Sequence, residues 1–226
     1  LEPHASKRTQ PELITFIALR RAVGILGITF PFIMVIGSII CTGCLEIQSS
    51  ISAYYHTNMQ NIFVGILCVI AFFLISYRGY DIADDIAGNL AGVFALGAAF
   101  FPTSVKDHLT GCIPDPIDNH IIGIIHNVSS AGFLIVLACF SFFLFTIKNK
   151  NETNIMKDRR NTLYRVTGIL MSLCIILCIV LVYSNSDFSQ SLKKHNMIFW
   201  LESVAICAFG VSWFIKGRTI LVDKEE

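Results

Sequence analysis

An all-α integral membrane bundle of six helices, with the N- and C-termini both cytoplasmic, is the fold class this sequence predicts. Three observations lead there. Of 226 residues, 54% are hydrophobic and only 15% charged, with a mean hydropathy of +0.65, where a soluble domain carries about 25% charged residues. Six long apolar runs divide the chain, at 22–45, 61–77, 86–105, 120–147, 166–186 and 196–215. A helix needs about 20 residues to cross a hydrocarbon core of roughly 30 Å, and all its backbone polar groups must be bonded within the protein. Finally, with the N-terminus inside, 14 of the 17 Lys and Arg residues fall on the inner side. Only Lys106, Lys193 and Lys194 fall outside, so the positive-inside rule sets the direction of every span. The chain then reads as a polar segment 1–19, one membrane domain 20–217 and a polar tail 218–226. A net charge of +1 gives no reason to expect nucleic acid. The polar stretch Glu2–Glu12 has no apolar core and is not expected to be a signal peptide.

The first run contains Pro31, where a kink is expected because proline removes a backbone bond. It ends in Cys41-Thr-Gly-Cys44. That C-x-x-C spacing also occurs in redox enzymes, but here it terminates a membrane helix, where a structural bridge or plain packing is the expectation. If the outer face is oxidising, Cys44 and Cys112 are candidates for a disulfide. The second run is short, and uncharged residues from Ile51 to Gln60 are available to lengthen it. The third places Gly88, Gly92, Ala95 and Ala99 on one stripe, which allows close helix approach at the centre of the bundle. Before it, Asp81, Asp84 and Asp85 follow Arg78, a setting of helix capping and solvation on the inner side. Trp200, Trp213, Tyr54, Tyr55, Tyr77, Tyr80 and Tyr183 lie near span ends and read as interfacial anchors.

Groups able to do chemistry gather toward the outer side. Ser52 and His56 precede the second run, and they share one face if that segment is helical. In the fourth, His120 sits at the mouth, and His126 shares a face with Asn119, with Ser129 and Ser130 extending it inward. In the sixth, Glu202 lies one to two turns below the outer surface, seven residues after His195. His56 ahead of the second run, His126 in the fourth and Glu202 in the sixth are donor types that bind zinc or another divalent metal. A metal there would activate water against a lipid ester or amide, with Ser52 or His120 placing water or substrate. The bland reading is that each histidine bonds a backbone group and that Glu202 pairs with His195 or His126. No Asp, Glu, Lys or Arg lies near the middle of a span, where coupling sites of ion-driven transporters sit.

Several phrases carry a resemblance: Ser-Ile-Ser-Ala-Tyr-Tyr-His-Thr from Ser50, Gly-Ala-Ala-Phe-Phe-Pro-Thr from Gly97, and Phe-Trp-Leu-Glu from Phe199. On these the chain resembles a family of bacterial six-helix membrane proteins, and more loosely the DUF998 and Frag1/DRAM/Sfk1 group. That likeness implies the bacterial plasma membrane and a role in lipid remodelling or membrane organisation. Ser52 and His56 also match the Ser-x-x-x-His motif of the CREST membrane hydrolases. The His-x-x-x-His motif of that family is missing, since His120 and His126 are six apart. The expected function is binding or processing of a lipid headgroup in an outer cavity between runs two, four and six. The rival expectation is a non-enzymatic scaffold, assembly partner or small channel.

Overall fold

The computed structural model describes residues 11–78, 82–104, 119–146 and 155–217. Among these residues the chain is all-helical, with no strand. The helices are α1 (Pro11–Thr42), α2 (Gln60–Ser76), α3 (Ile82–Phe100), α4 (His120–Phe142), α5 (Ile155–Tyr183), α6 (Asp187–Lys194) and α7 (Met197–Lys216). Two 3₁₀ turns, Ser52–His56 and Leu144–Thr146, complete the set. Five stretches are long and apolar enough to cross a bilayer: Ile17–Thr42, Ile82–Phe100, His120–Thr146, Met156–Tyr183 and Met197–Lys216. α2 is apolar but shorter, at 17 residues. Large apolar side chains such as Phe32 (58% exposed) and Phe72 (63% exposed) point outward, where a soluble protein would place polar ones. The chain is a multi-pass integral membrane protein.

The helices close a ring in the order α2, α3, α4, α5, α7, α1, and the seam between α1 and α2 is the loosest. Glycine sets two of the tight contacts. A Cβ on Gly88 would stand 2.6 Å from the Leu74 carbonyl oxygen, so α3 lies directly on the α2 backbone. A Cβ on Gly210 would stand 2.7 Å from the Gly24 carbonyl oxygen, and the same holds between α7 and α1. Dispersion at such close approach is a main source of association where lipid removes the hydrophobic drive. Ser141 Oγ donates to Ser212 Oγ at 2.9 Å, both fully buried, and fastens α4 to α7 in the interior. α1 continues through Pro31 without interruption.

Both terminal spans meet at one end of the bundle, where Arg21 Nε donates to the Gly217 carbonyl oxygen at 2.9 Å. At the opposite end the segment after α1 folds back into the bundle. Phe199 N donates to Ser49 O (3.1 Å) and Asn196 Nδ2 to Ile47 O (3.0 Å), which ties this segment to the start of α7. Gln48, Ile51, Ala53, Tyr54 and Met59 are buried almost completely.

This corrects the expectation that Ile51–Gln60 lengthens the second helix. Thr57 is extended (φ −108°, ψ 177°), its hydroxyl donates to Tyr54 O (2.8 Å) and it accepts from Met59 N (3.1 Å). A threonine bonding its own neighbourhood competes with the helix ladder and breaks it. Three of the expected interfacial anchors are also core residues: Trp213, Tyr54 and Tyr77 are at most 5% exposed. Trp200 and Tyr183 do face outward. Tyr80 and Asp81 lie outside the described residues.

Candidate functional site

A cavity of about 40 Å³ opens at the end opposite the termini. Its apolar walls include Phe30 of α1, Phe63 and Leu67 of α2, Phe133 and Leu134 of α4, and Ile206 of α7. Three polar side chains face it: Ser52 of the 3₁₀ turn, Ser130 of α4 and Glu202 of α7. Space of this size holds a few water molecules or a small polar group. Of the residues singled out by sequence, Ser52 and Glu202 line this cavity. His56 and His126 lie beside it, and His120 is exposed on the first turn of α4.

Each of the three expected metal donors is bonded to, or held by, backbone. Glu202 Oε2 accepts from Ile51 N at 2.7 Å, with the Ser52 N–H in reach of the same carboxylate. A helix leaves its first N–H groups without partners. Glu202 supplies the acceptor for the Ser52–His56 turn from a different helix. His56 Nε2 bonds Thr103 O at 2.6 Å. A carbonyl oxygen only accepts, so Nε2 carries the proton. His126 Nδ1 likewise donates to Phe101 O at 2.7 Å, and its Nε2 therefore accepts from the Ser130 hydroxyl at 3.0 Å.

The two histidines thus close the carbonyl end of α3, on either side of Pro102, where the helix can no longer bond its own oxygens. His56 and His126 are within electrostatic reach of one another. His126, however, has both ring nitrogens engaged. Among the described residues, no three His, Cys, Asp or Glu side chains are grouped as a metal ion requires. Ser52 and His56 do not share a face either. At three residues per 3₁₀ turn, positions four apart point about 120° apart.

His195 is exposed and bonds Ser191 O through Nδ1 (2.8 Å), so it does not pair with Glu202. Asn119 caps α4 by accepting from the N–H groups of Ile121 and Ile122 (3.1 and 3.2 Å). Asp85 pairs with Arg78 at 3.4 Å on the surface, whereas Asp84 is buried. Cys44 is disulfide-bonded, while Cys112 lies outside the described residues. Cys41 is a free thiol, so the C-x-x-C pair is not closed on itself.

The second polar centre, at the end carrying the termini, was not singled out by sequence. Arg20 lies over the Tyr77 ring (5.2 Å) and Lys216 over the Phe145 ring (4.8 Å). Trp213 joins these rings, its centroid 5.2 Å from Tyr77 and 5.5 Å from Phe145. In the sequence Arg20 and Lys216 read only as positive charges of the inner side, and Trp213 reads as an interfacial anchor. Helical spacing was the available signal: Trp213 and Lys216 are three apart on α7.

No known family, no curated protein and no solved structure matches the chain.

Proposed function

We propose that this chain spans the membrane six times with both termini in the cytoplasm, and that its outer end binds or processes the headgroup of a membrane lipid. The observation that carries the reading is the convergence of Ser52, Ser130 and Glu202 on one cavity walled by phenylalanine and aliphatic side chains. Such a site offers a carboxylate and two hydroxyls to a polar head, with apolar walls for the first carbons of a chain. Six spans are supported by α2. Its first turn follows the 3₁₀ segment, and Tyr77, just past its last turn, lies against Arg20 and Trp213 at the other end. Orientation is supported by the distribution of Lys and Arg and by the disulfide at Cys44, which suits an oxidising compartment. The resemblance to bacterial six-helix proteins points to the plasma membrane.

Lipid analysis of the protein purified in mild detergent tests this reading. Retained lipid that falls several-fold in Glu202→Gln and Ser130→Ala is the expected result. Equal retention by all three proteins would leave the scaffold or small-channel reading in its place.

One observation favours processing over binding alone. Ser130 donates to His126 Nε2 while Nδ1 is held by Phe101 O, which is the arrangement of a nucleophile, its base and an orienting acceptor. Labelling of Ser130 by a serine-directed phosphonate, lost in His126→Gln, checks it. The metal-dependent version instead requires His126 Nε2 to exchange Ser130 for zinc or another divalent ion, with His56 and Glu202 as partners. Stoichiometric metal in protein purified without chelator is its test.

A further inference from the structure

The second polar centre differs from the first in what its groups lack. Among the described residues, five buried side-chain polar atoms have no hydrogen-bond partner. Two are hydroxyls, of Ser38 and Tyr54, which either donate or accept. The other three are N–H donors: Arg20 Nε, Asn161 Nδ2 and Trp213 Nε1. A buried donor without an acceptor costs about 1–3 kcal/mol, so three at one end of a bundle call for an acceptor.

Arg20 and Trp213 line a common small cavity with Tyr77, Leu19 and Val23 of α1 and Phe73 of α2. Its volume of about 10 Å³ admits a single water-sized atom. It lies at the loose seam between α1 and α2, beside exposed Ser76. The surroundings are cationic. Arg160 and Lys157 of α5 are within electrostatic reach of Lys216 of α7, and Arg20 and Asp84 act on Lys216 as well. Asn161 and Tyr164 lie on the same face of α5, and Tyr164 senses both Arg20 and Arg160. Asp84 attracts Lys216, and Asp158 on α5 and Asp85 on α3 add acidic groups at the same end.

We infer that this end of the bundle is a phosphate-binding site, in which Arg20 Nε and Trp213 Nε1 donate to one anionic oxygen seated between α1 and α2. The rest of the phosphate lies at the seam beside Ser76. Guanidinium is the group best suited to such an oxygen, and its position over the Tyr77 ring holds it in place. With the termini inside, the depth matches the headgroups of the cytoplasmic leaflet. A phosphodiester of a lipid and a free phosphate present the same oxygen. The lipid additionally uses the seam for its chain.

Native mass spectrometry of the full chain in detergent separates these sources. The protein is titrated with phosphatidylglycerol, with diacylglycerol (the same chains without phosphate), and with inorganic phosphate. Phosphatidylglycerol is expected to bind at least ten-fold tighter than diacylglycerol. Arg20→Gln lowers that affinity roughly ten-fold or more, and Trp213→Phe, which keeps the ring and loses the N–H, roughly three- to ten-fold. Binding of inorganic phosphate with the same sensitivity to both variants identifies the free anion as sufficient. Equal binding of diacylglycerol, unchanged affinity in Trp213→Phe, or no binding of either phosphate probe overturns the inference and leaves a water molecule as the acceptor. If Arg20→Gln fails to fold, Trp213→Phe alone decides.

Discussion

At the end opposite the termini, Glu202, His56 and His126 each bond backbone from another element. At the end carrying the termini, Arg20, Asn161 and Trp213 hold N–H groups with no acceptor among the described residues. The difference shows that a buried polar side chain in a membrane bundle has two distinct uses. It either completes the backbone of its neighbours, which helices in lipid demand, or, as inferred for Arg20 and Trp213, it offers a donor to a ligand. Residue type does not distinguish these uses. Only the partner does.

Stability measurements in detergent would sharpen or break that contrast. Glu202→Leu should have the largest effect, destabilising by about 4 kcal/mol, because the Ile51 and Ser52 N–H groups lose their acceptor together at about 2 kcal/mol each. Thermal unfolding checks it, and a loss below about 1 kcal/mol would mean that the carboxylate is no cap. Removing the disulfide by Cys44→Ser should cost about 3 kcal/mol. That loss should be matched by adding reductant to the wild type and absent when reductant is added to the variant. Ser212→Ala, which breaks the interior bond to Ser141, should cost only about 0.6 kcal/mol. Asn161→Leu has the smallest expected effect and the opposite sign. Deleting a donor that has no partner should be neutral or stabilising by up to about 1 kcal/mol in lipid-free detergent. A clear destabilisation there would show that Asn161 is bonded after all.

Much of the architecture was legible because lipid makes a simple demand: a long apolar run has to be helical. The five long spans follow from that alone. The small residues Gly88 and Gly92 were legible too, since nothing but close helix contact calls for them on one stripe. The fold-back of residues 46–59 was not legible. Ile51–Gln60 is as uncharged as a span, and the Thr57 hydroxyl, acting on Tyr54 and Met59, interrupts it. At the candidate site, depth was readable and bonding was not. Glu202 and Ser52 could be placed on one side of the membrane from the topology. That Glu202 caps a 3₁₀ turn, or that His126 closes α3 beyond Pro102, depends on which element lies opposite. The Arg20–Trp213 centre was hidden for a different reason. Its charges had already served to orient the chain, and its tryptophan had the position of an anchor.

The most direct test of the cavity opposite the termini is a density map of the protein in lipid nanodiscs at a resolution that shows ordered lipid. The prediction is non-protein density between Ser52, Ser130 and Glu202, polar at that point and continuing as a chain along Phe63 and Phe133. A cavity closed by side chains, or holding isolated waters with no chain attached, would contradict it.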